Sequence, residues 1–560
     1  MKKLAILLCA VLAAAPLCAQ NAALSSRVRQ LAERPELRHS TLGVKIVDET
    51  AGTTLVDINS QQLFNAGSTT KLLTEGTALA LLGEDYRFHT RIYYTGQIDE
   101  QGVLEGDLIL VAGGDPNLSG RVLPTDTLDI VPRDHAYAGL LPGQSVPGEP
   151  LRILKELAAS VLMKGVARIR GNILVDASLF AAGGVEPATH TAISPVVLND
   201  NVIDVIATSA RNEGGAVALT ISPELPYLKV INRVRTGPAN SDAALRFTTD
   251  VEEAGGSHTA VLEGNVPAGR RTAQAAYKVQ DPVRYAEAGM REALHWVGVV
   301  VEAPWTDPTA PVPPASTQRT FLTEHISPPF REEARLTLKV SQNLHAALTP
   351  FLLGSLLGKQ TADAQWNGLT MERRYLTEKG LDTSGVSQLD GEGGMGSAFT
   401  PDFMVRYLEM MSHQPTGRWF AECLPVLGRD GTLAEVLEDS PAAGHVHAKT
   451  GSYVVGNALS GGVMLLGKGL AGYIDGANGH RLVFAAYINM VPLRGMDAVA
   501  DLGEMLAKIA EAAYESTLPS VARAPARIVP AKAAGKPSPR GGKKALAIQS
   551  KKKKPAPVED

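Results

Sequence analysis

Three short motifs, spread over most of the chain, constrain its fold more than any other feature, because their chemistry is useful only if it meets at one place. The first is Ser68-Thr69-Thr70-Lys71, which follows Gly67 and puts an amine one helical turn from a hydroxyl. Serine is a poor nucleophile at neutral pH, and a lysine whose pKa is lowered can act as its base. The second is Ser341-Gln342-Asn343, the only Ser-any-Asn in the sequence. Its hydroxyl and carboxamide can relay a proton to a leaving amine and hold the lysine in place. The third is Lys449-Thr450-Gly451-Ser452, the only Lys-Thr-Gly. On a strand, Lys449 and Gly451 face one way and Thr450 and Ser452 the other. A cation and hydroxyls there suit a free carboxylate, and Gly451 lets a ligand backbone lie against the strand edge. The amide of Ser452 can pair with that of Ser68 as an oxyanion hole. Each motif alone has a plain reading: a chance match, a turn serine, a polar edge strand. Their occurrence together, in this order, makes chance a poor account.

Around the motifs, Leu42 to Val47 and Thr53 to Asp57 alternate in polarity across a turn and predict a hairpin. Ser68 opens a helical pattern with Leu72, Gly76, Leu79 and Leu82 on one face and Gly83 at its end. Strand-like runs follow at Arg87 to Tyr94 and Asp107 to Val111. Residues 123 to 150 shift to Pro, Gly, Asp and His without a period and read as a long loop, a passive surface connection in preference to a lid. Residues 151 to 320 show short strands (168–175, 202–207, 216–221, 228–234) and one amphipathic helix, 285–297. Pro304 to Pro314 reads as a linker. A helix runs into Val340, and Leu344, Ala347, Leu348, Leu352 and Leu353 keep helical spacing beyond it. Residues 446–453, 458–466 and 482–490 read as consecutive antiparallel strands, followed by a helix at 497–514. No nucleotide-type glycine loop stands in the sequence, and no nucleic-acid partner is expected.

The formal charge of −4 hides three regions. Lys2 and Lys3 precede an apolar run, Leu4 to Leu17, too short to span a bilayer; with Pro16 and Ala19 this predicts a secretory signal peptide, residues 1–19, and a periplasmic protein. Residues 517–560 hold 11 Lys and Arg against Glu559 and Asp560 and predict a disordered basic tail that makes electrostatic contact with the envelope. The stretch between is acidic. After signal removal only Cys423 remains, so no intramolecular disulfide and no cysteine metal site can form; no metal and no cofactor are expected.

The ordered triple resembles the signature of penicillin-recognising acyl-serine enzymes. The long separation of Ser68 from Ser341, with Gly106 to Pro116 inside it, resembles the class C low-molecular-mass penicillin-binding proteins, the D-alanyl-D-alanine carboxypeptidase/endopeptidase family of peptidase S13. Ile169 to Asp176 with Ser178 and Phe180, Leu198 to Val202, Leu389 to Gly393 and Leu424 to Leu433 are similar to further segments of that family. The resemblance implies an α/β fold: a β-lactamase/transpeptidase-like domain, an antiparallel sheet flanked by helices, with two nested β-rich inserted domains. The implied partition is 20–92 and 322–516 for the transpeptidase-like domain, 93–175 and 285–321 for inserted domain II, and 176–284 for inserted domain III.

It also implies Ser68 as acylated nucleophile, Lys71 as base, Ser341 and Asn343 in protonation and orientation, and Lys449 as positive potential. Thr450, Gly451 and Ser452 would bind the terminal carboxylate. A charged Lys449 beside Lys71 would keep Lys71 neutral. The implied partners are peptidoglycan stem peptides, with β-lactams as inhibitors. Two departures stand out. Gln342 replaces the usual Asp, Asn or Leu and should be tolerated; Glu392 stands where serine is frequent and should reshape the pocket wall. The rival readings are a β-lactamase or esterase on the same scaffold, or a non-catalytic peptidoglycan-binding protein. Leu198-Asn199 lacks the preceding glutamate that would activate water, so slow release of acylating β-lactams is expected.

Overall fold

The predicted hairpin forms, and the far end of the chain completes it. In the computed structural model, β1 (Thr41–Asp48) and β2 (Thr53–Ile58) pair antiparallel. Two strands alone are marginal in water. Three more, β3 (Val446–Asn457), β4 (Gly462–Asp475) and β5 (Arg481–Leu493), extend them to a five-stranded antiparallel sheet ordered β3-β4-β5-β1-β2. The strand expected at 458–466 is displaced to β4, because residues after Asn457 close a turn in which Gly461 N–H donates to Asn457 O. Residues 21–135, 143–305, 311–314, 317–359 and 361–519 are described. The expected signal peptide, almost all of the basic tail and part of the proline linker lie outside them.

Helices cover both sheet faces: α1 (Thr70–Leu82), α2 (Phe330–Val340) and α3 (Asn343–Leu352) on one, α4 (Met496–Glu515) on the other. This is why β5 reads as an almost unbroken apolar run rather than an alternating one. Leu482, Phe484, Ala486 and Ile488 share a core with Leu502, Leu506 and Ile509 of α4. Val483, Ala485 and Tyr487 share another with Leu72, Leu79, Leu338 and Leu348. Each leucine buried in this way contributes about 1.5–3 kcal/mol.

Between α1 and α2 the chain makes an excursion whose first strand, His89–Tyr94, pairs with its last, Thr320–Ile326. Inside it, helices Arg152–Met163 and Pro282–Trp296 and several short sheets share one core. The first of these helices was missed from sequence, although its buried Ile153, Leu154, Leu157, Ala158 and Val161 keep helical spacing. Several strands were also missed, among them His258–Pro267, Thr272–Lys278 and Ala244–Glu252, the last being exposed or half-buried throughout.

The stretch from 123 to 150 overturns the expectation of a passive surface loop. Its described residues do lack regular structure, yet Asp134 and His135 are buried.

Candidate active site

The first motif starts at a tight junction. Gly67–Thr69 is a single 3-10 turn that runs into α1. Gly67 has φ +48°, and a Cβ there would lie 2.7 Å from the Ser452 amide nitrogen. Across the same gap, a Cβ on Gly451 would stand 2.4 Å from Ala66 O and 3.0 Å from Thr69 N. Both glycines therefore serve to press β3 against the turn carrying Ser68. For Gly451 this corrects the expectation that its missing side chain makes room for a ligand.

Ser68 is half-buried, whereas Lys71 behind it is fully buried. Lys71 Nζ lies 2.8 Å from Ser68 Oγ, 2.6 Å from Asn343 Oδ1 and 3.3 Å from the backbone oxygen of Glu392. Two of these partners are carbonyl oxygens, which can only accept; Ser68 is the only one that can donate. A neutral Lys71 thus keeps its two N–H bonds on the carbonyls and turns its lone pair to the Ser68 hydroxyl.

Burial pulls Lys71 down to about 8, against the opposing pull of Glu392, Glu186, Asp390 and Glu75. This replaces the expected cause: burial, not the charge of Lys449, brings the neutral, basic form of Lys71 within reach near pH 8. Lys449 is itself held well below its usual value, by burial and then by repulsion from Lys71 and Lys468.

Ser341 sits between α2 and α3 with φ +62°, a left-handed residue that ends one helix so that the next can start. Its Oγ accepts from Lys449 Nζ at 2.9 Å, and Lys449 also donates to Thr450 O at 2.8 Å. Thr450 Oγ1 is 2.9 Å from Thr432 Oγ1, and Ser452 Oγ accepts from Lys468 Nζ at 2.7 Å. Thus Ser68, Lys71, Ser341, Asn343, Lys449, Thr450, Gly451 and Ser452 meet along one seam between α1, the α2–α3 junction and β3. Lys468 and Thr432 join that seam without having been singled out from sequence.

Sequence reasoning also missed what stands behind the seam. Gln342 caps α3 by accepting from Leu344 N at 3.0 Å, and its Nε2 donates to Asp134 Oδ2 at 3.2 Å and Asp200 Oδ2 at 3.4 Å. Asp200 bonds Arg121 Nη2 at 2.5 Å, His135 Nε2 at 3.0 Å and His345 Nε2 at 3.1 Å. His345 Nδ1 reaches Glu333 at 2.9 Å, and His135 Nδ1 reaches Asp204 at 3.0 Å. All of these side chains are buried. Burial alone would discharge Asp200, but Arg121 and the two histidines hold it well below the usual carboxylate range. Asn199, Asp200 and Asn201 all have positive φ, a strained turn that delivers the carboxylate inward. Nearer the seam, Glu186 Oε1 accepts from Asn343 Nδ2 at 3.4 Å, which leaves Asn343 Oδ1 turned to Lys71. Among the described residues no group of His, Cys, Asp and Glu is arranged to hold a metal ion.

Comparison with known proteins agrees with this geometry. The model of the D-Ala-D-Ala carboxypeptidase 3 (S13) family matches residues 24–509. The D-alanyl-D-alanine carboxypeptidase of Actinomadura sp. (strain R39) is 27% identical over 494 residues, covering 84% of this chain and 82% of that protein. The D-alanyl-D-alanine carboxypeptidase DacB of Haemophilus influenzae is 21% identical over 450 residues, covering 78% and 82%. Among solved structures, penicillin binding protein 4 (dacB) from Haemophilus influenzae superposes with a TM-score of 0.65 at 20% identity, over 88% of this chain and 99% of that one. That protein has also been solved in complex with a β-lactam. The superposition establishes the β-lactamase/transpeptidase-like fold with inserted domains.

Proposed function

This chain belongs to the D-Ala-D-Ala carboxypeptidase 3 (S13) family, and on that premise we propose that it cleaves the terminal D-Ala from peptidoglycan stem peptides through an acyl ester on Ser68. The observation that carries the assignment of roles is the three-way contact of Lys71 Nζ, two carbonyl acceptors and one hydroxyl. Lys71 takes the Ser68 proton as Oγ attacks the carbonyl carbon of the D-Ala-D-Ala bond. The backbone amides of Ser68 and Ser452, brought together by the close approach of Gly67 to Ser452, receive the oxyanion. The proton returns to the departing amine by way of Ser341, and water then releases the peptide from Ser68.

Thr450 and Ser452 receive the terminal carboxylate, and Lys449 supplies charge to it. Lys449 is fully buried and depressed in pKa, so it becomes charged when that carboxylate arrives. The same site opens D-Ala-diaminopimelate cross-links if the longer leaving group fits, which adds endopeptidase action. The N-terminal apolar run exports the chain to the periplasm, and the basic tail tethers it to anionic envelope polymer; deletion of residues 517–560 should lower envelope binding at low salt. No described helix is long and apolar enough to cross a membrane.

The test is release of D-Ala from a diacyl-Lys-D-Ala-D-Ala peptide. Wild-type protein should release it and Ser68→Ala should not; no release by well-folded wild type would refute the reading.

A further inference from the structure

An acyl-serine enzyme needs a base twice, and in the acyl-enzyme Ser68 Oγ is an ester oxygen with no proton for Lys71. A second acceptor stands in the same pocket. Glu392, the residue that departs from the family's usual serine, presents its backbone oxygen to Lys71 Nζ at 3.3 Å. Its side chain is buried at 5% exposure, and Oε2 has no hydrogen-bond partner among the described residues. The loop is firmly held. Asp390 Oδ1 accepts from Gly393 N at 2.6 Å and Gly394 N at 3.1 Å, and Thr74 Oγ1 donates to Gly391 O at 2.8 Å. Gly393, at φ +96°, lies so close to the nucleophile's own turn that a Cβ would stand 1.9 Å from Gly67 O. A buried acceptor without a partner costs stability, offset in part here by the charge of Lys71.

We propose that Glu392 is the base that activates water against the acyl ester on Ser68, so that this enzyme hydrolyses β-lactams with turnover instead of remaining blocked by them. The inference rests on the acyl-serine reading above. In the step, the Glu392 carboxylate takes one water proton as the water oxygen bonds to the ester carbonyl carbon. The tetrahedral intermediate collapses with cleavage of the bond from that carbon to Ser68 Oγ. Oγ then recovers a proton from the Glu392 carboxyl, either directly or through Lys71, and the opened β-lactam leaves as a free acid. No other reactant is consumed. This places the water-activating glutamate in the loop before β3, away from Leu198-Asn199, where its absence predicted slow release.

The charged groups facing Glu392 are Lys71 on α1, Asp390 on its own loop and Glu186 from the excursion. Lys71 in turn faces Glu75 and Lys449. Burial, with Asp390 and Glu186, pushes Glu392 up to about 8 against the pull of Lys71, so the ionised, basic form grows as pH rises through that value.

The experiment measures the acyl-enzyme by intact mass after rapid acid quench, with benzylpenicillin, in wild type, Glu392→Gln and Glu392→Asp. All three should acylate Ser68 once. Loss of a general base slows its step by about 100-fold or more, so Glu392→Gln should hold the adduct about 100-fold longer than wild type, with Glu392→Asp between them. Wild-type release should accelerate as pH rises through about 8, and Glu392→Gln should lose that rise. Equal lifetimes in wild type and Glu392→Gln would overturn the proposal. If Glu392→Gln does not fold, a wild-type release rate that is flat with pH would overturn it as well. Absence of both an adduct and an opened product in wild type would instead sink the acyl-serine reading.

Discussion

Asp200→Asn tests the buried network behind the Ser341-Gln342-Asn343 motif. The aspartate is fully buried and is shared by Arg121, His135, His345 and Gln342. Asparagine keeps the shape but removes the charge, leaving Arg121 and two protonated rings short of a counter-ion. Breaking a buried ion pair from one side costs about 3–5 kcal/mol, and chemical denaturation of folded protein should show a loss of that size. The pH dependence gives a second reading. Burial works against protonation of both rings, but Asp200 with Asp204 raises His135 to about 9, and Glu333 with Asp200 raises His345 to about 10. A histidine raised in the folded state gives its stabilisation in full below the unfolded value of about 6.5 and loses it as pH climbs through the folded value. Wild type should therefore lose stability between about pH 7 and 10, and Asp200→Asn less steeply. Because Gln342 loses a partner, the penicillin acylation rate should also fall, by about 100-fold for a displacement of about 1 Å. A variant within about 1 kcal/mol of wild type, with an unchanged pH slope and acylation rate, would refute the network's role.

The rate of Ser68 acylation should rise with pH and level off above about 8, since Lys71 must be neutral to act; stopped-flow acylation across that range checks it, and Lys71→Ala should abolish the profile. Gly451→Ala should destabilise the protein by about 1–3 kcal/mol and slow acylation, because its Cβ is forced onto Ala66 O; thermal melts and acylation kinetics will show it. A peptide with a free C-terminal carboxylate should bind to Ser68→Ala with uptake of a proton near neutral pH as Lys449 becomes charged, visible as a buffer-dependent binding enthalpy. Leu506→Ala should cost about 2–5 kcal/mol by opening the core between α4 and the sheet, without altering the acylation rate per folded molecule.

What was legible in the sequence was local or repeated. The alternation of β1 and β2, the period of α1 and α4, and the residue types of the three motifs each carry their signal within a few neighbours. What was not legible depended on distant partners. Asp134 and His135 look like solvated loop residues until Asp200, Asp204 and Gln342 are folded around them. Gly451 has the right identity for a reason that the turn at Ala66 and Thr69 reveals, and the cause of Lys71's lowered pKa changed from a neighbouring charge to burial because depth cannot be read along the chain. Glu392 was visible as a departure, but its meaning came from the loop that sets it beside Lys71.

The central claim is that Ser68 carries the acyl group. After brief exposure to benzylpenicillin and acid quench, peptide mapping should find a single penicilloyl adduct on the segment containing Ser68, absent from Ser68→Ala. An adduct on any other residue, or one that persists in Ser68→Ala, would contradict it.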